Sequence, residues 1–119
     1  MAKRKFYQYD KCSTCKKAQK YLDSKGIDYE KIDITEKPPT NKDLQTMLKA
    51  YEGEFKRLFN TSGVMYRELS IKEQMPTMTG AKAIKVLSGK GKLIKRPFLL
   101  SGAKGVIGFK QDEWDELLG

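Results

Sequence analysis

The sequence contains no histidine and only two cysteines among its 119 residues. Without imidazole, the chain has no Cys–His or Ser–His pair for catalysis and no histidine to shuttle protons or bind zinc. A structural zinc site generally takes four protein ligands, which two cysteines in a monomer cannot supply. We therefore predict no metal site and no permanently bound cofactor.

Long apolar runs are also missing, and none approaches the roughly 18 residues that a membrane-spanning helix requires. The first residues, Met1 to Tyr7, have a basic tip but lack the apolar core and the cleavage site of a signal peptide. A chain of this length is typical of one compact domain. We therefore expect a cytoplasmic, monomeric protein that forms a single domain over residues 1–119 and has no membrane partner.

Negative charge is scarce, since 15 Asp and Glu oppose 24 Lys and Arg and leave a net charge of +9. Such an excess favours an acidic partner, whether nucleic acid, an anionic substrate or an acidic protein surface. A dedicated nucleic-acid binder usually concentrates lysines on one element and interleaves aromatic residues, whereas the lysines here are spread along the chain. We interpret them as a solvated surface and predict no direct nucleic-acid binding.

The first third of the chain has the pattern of a strand, a helix and a second strand. Residues 5–9 are aromatic-rich and short, as in a strand, and a helical pattern then runs from about Cys12 to Lys25. Gly26 is placed to end that helix, and residues 27–34 have the composition of a second strand. These elements predict a βαβ unit with a right-handed crossover between parallel strands.

The middle of the chain has helical patterns. The pair Pro38-Pro39 breaks the chain, and Thr40 or Asn41 can cap a helix after it. The apolar residues on one face of that helix are Leu44, Met47, Leu48 and Tyr51. A second helix is predicted from about Thr79 to Leu87.

The last third changes to short apolar segments around glycine-containing turns. Segments 97–100 and 106–109 predict a hairpin, and residues 110–118 predict a closing helix. The order βαβ, helices, ββα predicts the α/β class, with a thioredoxin-like (glutaredoxin-like) mixed sheet and an inserted helical subdomain. The thioredoxin-like part is assigned to residues 1–36 and 92–119, and the insertion to residues 37–91.

The clearest chemical motif is Cys12-Ser13-Thr14-Cys15, at the junction of the first strand and helix. Free amides and the dipole at a helix start stabilise a thiolate, and a thiol pKa of about 8.5 can fall to roughly 3.5–7.5 there. Cys12 lies nearer the free amides, so we predict that it is the nucleophile and that Cys15 resolves the intermediate by forming a disulfide with it. Lys11, Ser13 and Thr14 are candidate anion-binding residues around the thiols.

A CxxC pair in an intracellular βαβ context is typical of thiol redox chemistry. The alternatives are two inert buried thiols or half of a metal site, and the second would need ligands that the chain lacks.

Two further segments are candidates for the site. A cis peptide before Pro97 would place backbone beside the thiols, and Arg96 could hold an anion by a bidentate contact; an ordinary edge strand with a surface arginine explains both residues equally well. Asn60 to Gly63 could cradle an anion with backbone and side-chain donors, although the composition favours a turn between helices.

At these residues the sequence resembles the ArsC/Spx family, which comprises arsenate-reductase-like and Spx/MgsR-like proteins. The resemblance spans nearly the whole chain and implies a thioredoxin-like fold with a helical insertion. The matching segments are Cys12-Ser-Thr-Cys15-Lys-Lys-Ala18 with the strand before it, Leu58-Phe-Asn-Thr-Ser-Gly63, Tyr66-Arg-Glu-Leu69, Leu93-Ile-Lys-Arg-Pro97 and Val106-Ile-Gly-Phe109.

The resemblance to the arsenate reductases implies that a cysteine at the position of Cys12 attacks arsenate while three arginines hold the oxyanion. Arg96 matches one of the three, but the others would fall at Asn60 and around residues 108–110, where this chain has no arginine. Those enzymes usually carry serine where Cys15 stands, and they take a thiol from glutathione. We therefore expect an arsenate-reductase-like thiol–disulfide oxidoreductase, not a reductase of arsenate itself. Its substrate would be an oxidised protein or oxyanion, and its reductant an external thiol such as glutathione or thioredoxin.

The resemblance to the Spx-like regulators implies a different use of the same cysteines. In those proteins the CxxC pair is an oxidation switch, and a surface that includes a glycine of the helical insertion binds the C-terminal domain of the RNA polymerase α subunit. Gly53 lies near the corresponding position. The alternative function is therefore a redox-sensing transcription regulator with RNA polymerase as its partner.

Overall fold

A computed structural model describes residues 4–118 of the chain. Its sheet has four strands in the order β2-β1-β3-β4. The strands are β1 (Arg4–Gln8), β2 (Tyr29–Asp33), β3 (Phe98–Ser101) and β4 (Lys104–Ile107). β1 and β2 run parallel, whereas β1 with β3 and β3 with β4 are antiparallel, so the sheet is mixed as predicted.

Helices connect and cover these strands. The α-helices are α1 (Ser13–Ser24), α2 (Asn41–Ala50), α3 (Val64–Glu68), α4 (Ile71–Gln74), α5 (Gly80–Leu87) and α6 (Gln111–Leu118). Short 3-10 turns occupy Phe55–Leu58, Met75–Thr77 and Gly91–Leu93. The element order is βαβ, a block of helices and turns, and ββα, which confirms the predicted α/β architecture.

The sheet is covered on both faces because alternate residues of its strands point to opposite sides. Phe6 and Leu99 pair across β1 and β3 and join a cluster with Leu22 of α1 and Trp114 of α6. The indole Nε1 of Trp114 donates to the Gly108 carbonyl at 2.9 Å, which satisfies its one polar atom inside the core.

The opposite face packs against the block of helices. Tyr7, Phe98 and Ile107 point to this side and share a cluster with Leu44 of α2 and Leu87 of α5. β3 therefore has both faces buried, which explains why its sequence is apolar at consecutive positions rather than alternating.

Threonine side chains cap the two longer helices of this block, Thr40 as one of the two predicted caps and Thr79 at the predicted start of its helix. The Thr40 hydroxyl accepts from the Asp43 backbone N–H at 3.1 Å at the start of α2. The Thr79 hydroxyl does the same for the Lys82 N–H at 3.2 Å at the start of α5. Gly26 follows α1 with a left-handed φ of 67°, as expected of the residue that ends a helix.

No helix within residues 4–118 is both long enough and apolar enough to span a bilayer.

Candidate active site

The thiol pair lies where the chain leaves the sheet and enters α1. β1 ends at Gln8, and the Cys12 backbone N–H donates to the Tyr9 carbonyl at 3.0 Å, which closes a tight turn. Cys12 is extended (φ −92°, ψ 115°) and is the N-cap of α1. Its carbonyl accepts the first helical bond, from the Lys16 N–H at 3.1 Å. The local sequence thus places one cysteine at the helix end and the other in its first turn.

The two cysteines face each other and differ in exposure. Both are free thiols; Cys12 is half-buried, whereas Cys15 is 1% exposed. The Cys15 thiol is within hydrogen-bonding reach of the Cys12 sulfur. The arrangement presents one sulfur to solvent and keeps the second immediately behind it.

Several donors act on the Cys12 sulfur. Burial opposes ionisation, but the Cys15 thiol and backbone N–H and the Arg96 guanidinium outweigh it and lower the pKa of Cys12 below its ordinary value. The Cys12 side chain makes no regular capping hydrogen bond, so among the amides of α1 it is the Cys15 N–H that lowers the pKa, without a short capping bond. The first turn of α1 has no acidic residue to oppose the negative charge.

The pKa of the Cys15 thiol is shifted in the opposite direction, above its ordinary value. Burial, together with the neighbouring Cys12 sulfur, raises the pKa of Cys15 to about 12. The backbone N–H of Tyr9 and the charge of Arg96 act against this rise without cancelling it. In the reduced protein the pair therefore carries one ionisable sulfur in front of one protonated thiol.

Arg96 reaches the thiols from the segment that leads into β3. Its guanidinium carbon lies 4.8 Å from the centre of the Tyr9 ring, and the group also reaches the Cys12 sulfur. None of the ion pairs among residues 4–118 involves Arg96, so its charge remains open to an anion. The Arg96–Pro97 peptide bond is cis and Pro97 is buried.

The other predicted site residues lie in two places. Lys11 and Ser13 flank Cys12 and are exposed, while Thr14 is half-buried in the first turn of α1. Asn60 lies elsewhere, where its backbone N–H donates to the Leu93 carbonyl at 2.8 Å and its amide donates to the Lys92 carbonyl at 3.4 Å. The structure therefore shows Asn60 holding a turn, and a role for it in anion binding stays a prediction.

Tyr9 is the residue of this site that sequence reasoning missed, since it was placed only at the end of the first predicted strand. Its ring lies against Arg96 and its backbone contacts both cysteines. A tyrosine at the end of a strand gives no signal of this role, because its partner arginine is far away in the sequence.

Within residues 4–118, no group of three or more His, Cys, Asp or Glu side chains could hold a metal ion.

The comparisons with known proteins agree on one family. The model of the ArsC family matches residues 7–117. The chain is 40% identical over 111 residues to the uncharacterized protein YusI of Bacillus subtilis, covering 93% of this chain and 94% of that protein. It is 26% identical over 108 residues to the regulatory protein MgsR of the same organism, covering 91% and 84%. The crystal structure of an ArsC family related protein from Bacteroides fragilis superposes with a TM-score of 0.90 at 40% identity, covering 98% of both chains.

Proposed function

The chain belongs to the ArsC family, and from this premise we propose that it is a thiol–disulfide oxidoreductase with Cys12 as its nucleophile. The observation that carries the proposal is the half-buried Cys12 at the start of α1, with the Cys15 thiol and the Arg96 guanidinium close enough to lower the pKa of its sulfur. Low-pKa, accessible thiols with a second cysteine behind them are typical of redox-active sites.

The first step is attack by the Cys12 thiolate on one sulfur of a substrate disulfide. A Cys12–substrate disulfide forms, the substrate S–S bond breaks, and the second substrate sulfur leaves as a thiolate that takes a proton from solvent. Arg96 stabilises the anionic sulfur before attack, and its open charge stabilises negative charge on the departing group.

The second step is resolution by Cys15. Once Cys12 is in a mixed disulfide it carries no negative charge, so its contribution to the raised pKa of Cys15 disappears while the burial contribution remains. Cys15 then attacks the Cys12 sulfur, its proton passes to the departing substrate thiolate, and a Cys12–Cys15 disulfide remains. Two equivalents of an external thiol, such as glutathione, return the pair to dithiols and leave as their own disulfide.

The test uses turnover of hydroxyethyl disulfide with glutathione as the reductant. We expect Cys12→Ser to reduce the rate to the uncatalysed background. We expect Cys15→Ser, in the absence of reductant, to accumulate a mixed disulfide visible as a mass increase. Ser24→Ala, an exposed hydroxyl at the far end of α1, should retain the full rate. Full turnover by Cys12→Ser would refute the proposal.

A second candidate is a redox-sensing transcription regulator, favoured by the similarity to MgsR over 91% of this chain. Here the same Cys12–Cys15 disulfide would form once per oxidation event and change binding to RNA polymerase. Gly53, near the position that the Spx resemblance implies for this contact, is exposed in a left-handed turn with a φ of 85°.

Binding to the immobilised C-terminal domain of the RNA polymerase α subunit separates the two functions. A regulator should be retained in an oxidation-dependent, stoichiometric manner and show no turnover of the model disulfide. An enzyme should turn the disulfide over with glutathione and show the same retention in both redox states.

A further inference from the structure

A groove of about 550 Å³ lies where the helical block meets the segments on either side of the β3–β4 hairpin. Its walls come from the 3-10 turn Phe55–Leu58, from Met75, and from the residues just before Arg96 and just before α6. A volume of this size accommodates several side chains of a bound ligand.

The groove has an excess of positive charge. Lys56, Lys95 and Lys110 line it and are exposed, and none has a carboxylate partner within 4.0 Å among residues 4–118. The one carboxylate in its lining belongs to Glu54. Arg57 is also part of the wall, but its guanidinium is paired with Glu113 at 3.0 Å, so its charge does not add to this excess.

Apolar side chains form the floor between these lysines. Phe55 and Met75 are half-buried in the groove, and Phe59 is 1% exposed. These side chains can bind an apolar side chain of a ligand by van der Waals contact. Unpaired nucleic-acid bases are usually held by stacking on aromatic side chains, and of the two in this lining only Phe55 is partly exposed. The combination favours a peptide with an apolar residue between carboxylates over a nucleic acid.

The groove is connected to the thiol site through Lys95. The Lys95 backbone N–H donates to the Leu58 carbonyl at 2.8 Å, which fixes the segment against the helical block. Its side-chain stem crosses Gly108 so closely that a Cβ there would lie 3.1 Å from the Lys95 Cε. The next residue is Arg96, whose guanidinium reaches the Cys12 sulfur. Two consecutive residues of one segment therefore serve the groove and the thiol site, Lys95 in the lining of the first and Arg96 beside the second.

We propose that this groove docks an acidic segment with a central apolar side chain, carried by the protein that brings its disulfide to Cys12. The inference rests on the proposed function for the identity of that protein, but binding in the groove is measurable without turnover.

The test measures binding of the pentapeptide Asp-Glu-Phe-Asp-Glu-amide, labelled with fluorescein on its N-terminal amine, by fluorescence anisotropy at low salt. The chain carries Cys12→Ser so that no thiol chemistry contributes. The groove variant combines Lys56→Glu, Lys95→Glu and Lys110→Glu. The control variant combines Lys42→Glu, Lys49→Glu and Lys82→Glu, which are exposed lysines of α2 and α5 and give the same change in net charge.

We expect the groove variant to weaken binding about tenfold or more, which corresponds to about 1.4 kcal/mol, because three cations that would attract the peptide carboxylates become anions. The control variant should change it by less than about threefold through long-range charge alone. Replacing the central phenylalanine of the peptide by glycine should also weaken binding. Circular dichroism melting of both variants checks that each one folds.

Equal weakening by the two triple variants, or indifference to the phenylalanine, would overturn the inference and leave only net-charge attraction. Binding of a thymidine octanucleotide with groove dependence, while the peptide does not bind, would replace it with nucleic-acid recognition. If the peptide binds as expected but hydroxyethyl disulfide is not turned over by the unmodified chain, the docking groove stands and the proposed enzyme does not.

Discussion

At the scale of single residues, the two thiols of the CxxC pair are chemically identical but differ in how readily they ionise, because their surroundings differ. Cys12 lies at the helix cap, half-buried, with donors from Cys15 and Arg96 around its sulfur. Cys15 lies one turn further into the helix and is covered by the core. Donors favour the thiolate of the first, and desolvation disfavours the thiolate of the second, so attack and resolution fall to different residues.

Arg96→Met should make Cys12 less reactive. The guanidinium lowers the pKa of Cys12, so its loss raises that pKa and moves the alkylation-rate profile to higher pH. The measurement is the rate of iodoacetamide alkylation against pH in a Cys15→Ser background. Arg67→Met, at an exposed arginine of α3, should leave the profile in place. An unchanged profile for Arg96→Met would show that Arg96 does not act on this sulfur.

Tyr9→Leu should shift the same profile in the same direction but by less. The ring holds the Arg96 guanidinium by a cation–π contact of 4.8 Å, a type of contact that contributes about 0.5–1 kcal/mol at exposed sites. Tyr9→Phe keeps the ring and should keep the profile. In an Arg96→Met background, Tyr9→Leu should have no further effect. An additive shift in that double variant would mean that Tyr9 does not act through the arginine.

At the scale of elements, the turns between strands and helices depend on close backbone approach. The 3-10 turn that begins at Gly91 packs directly on the chain leaving β2, and a Cβ on Gly91 would overlap the Ile34 carbonyl oxygen. The same turn is followed by the Ile94–Phe59 bridge, which aligns the segment leading to Arg96. The steric fit of one glycine therefore positions part of the site.

Gly91→Ala should lower the free energy of unfolding by more than about 3 kcal/mol, because backbone rather than a flexible side chain must move. Urea denaturation followed by tryptophan fluorescence measures it. Gly26→Ala is the matched comparison, since its φ of 67° is left-handed but nothing lies within 4 Å of the added Cβ. Gly26→Ala should lower the free energy of unfolding by only about 1–2 kcal/mol. Equal losses for the two variants would contradict the steric explanation.

At the scale of the whole molecule, one polar network joins the helical block to the sheet. The Tyr51 hydroxyl, just after α2, donates to Glu113 of α6 at 2.9 Å and accepts from the Ile107 backbone N–H of β4 at 2.9 Å. Arg57 pairs with the same carboxylate and lies over the Tyr51 ring at 4.3 Å. Burial opposes ionisation of Glu113, but these partners lower its pKa below the ordinary value.

Tyr51→Phe should destabilise the protein by about 1–3 kcal/mol, since it leaves the Ile107 N–H without a partner and leaves Arg57 as the remaining partner of the Glu113 carboxylate. Tyr66→Phe is the control, because the Tyr66 hydroxyl makes no hydrogen bond to the described residues, and it should cost less. Urea midpoints at pH 7 give both values. If the two variants lose the same stability, the network does not hold the two parts together.

The same network predicts a loss of stability in acid. The folded-state pKa of Glu113 is depressed, so its stabilising contribution is present above the unfolded pKa and is lost as the pH falls through the folded value. Glu113→Gln should lower stability at pH 7 and flatten this acid-side decline. The measurement is the free energy of unfolding from pH 7 to pH 2. An identical pH dependence in both proteins would contradict the prediction.

The sequence by itself determined the features that depend on neighbouring residues. The CxxC motif at a strand–helix junction, the cap at Thr40, the helix start near Thr79 and the α/β order of elements all follow from short-range patterns, and the structure and the family comparison confirm the fold. The stretch from residue 55 to 78 was not predicted in detail. Its helices have four or five residues, too few to show an apolar repeat.

Only the tertiary structure decided what surrounds the Cys12 sulfur. Tyr9 and Arg96 meet there because β1 pairs with β3 in the middle of the sheet. The burial of Cys15 likewise depends on how α1 packs on that sheet. Sequence patterns report periodicity and local hydrogen bonding. The desolvation of a thiol and the position of a nearby cation depend instead on atoms that the fold brings together from distant parts of the chain.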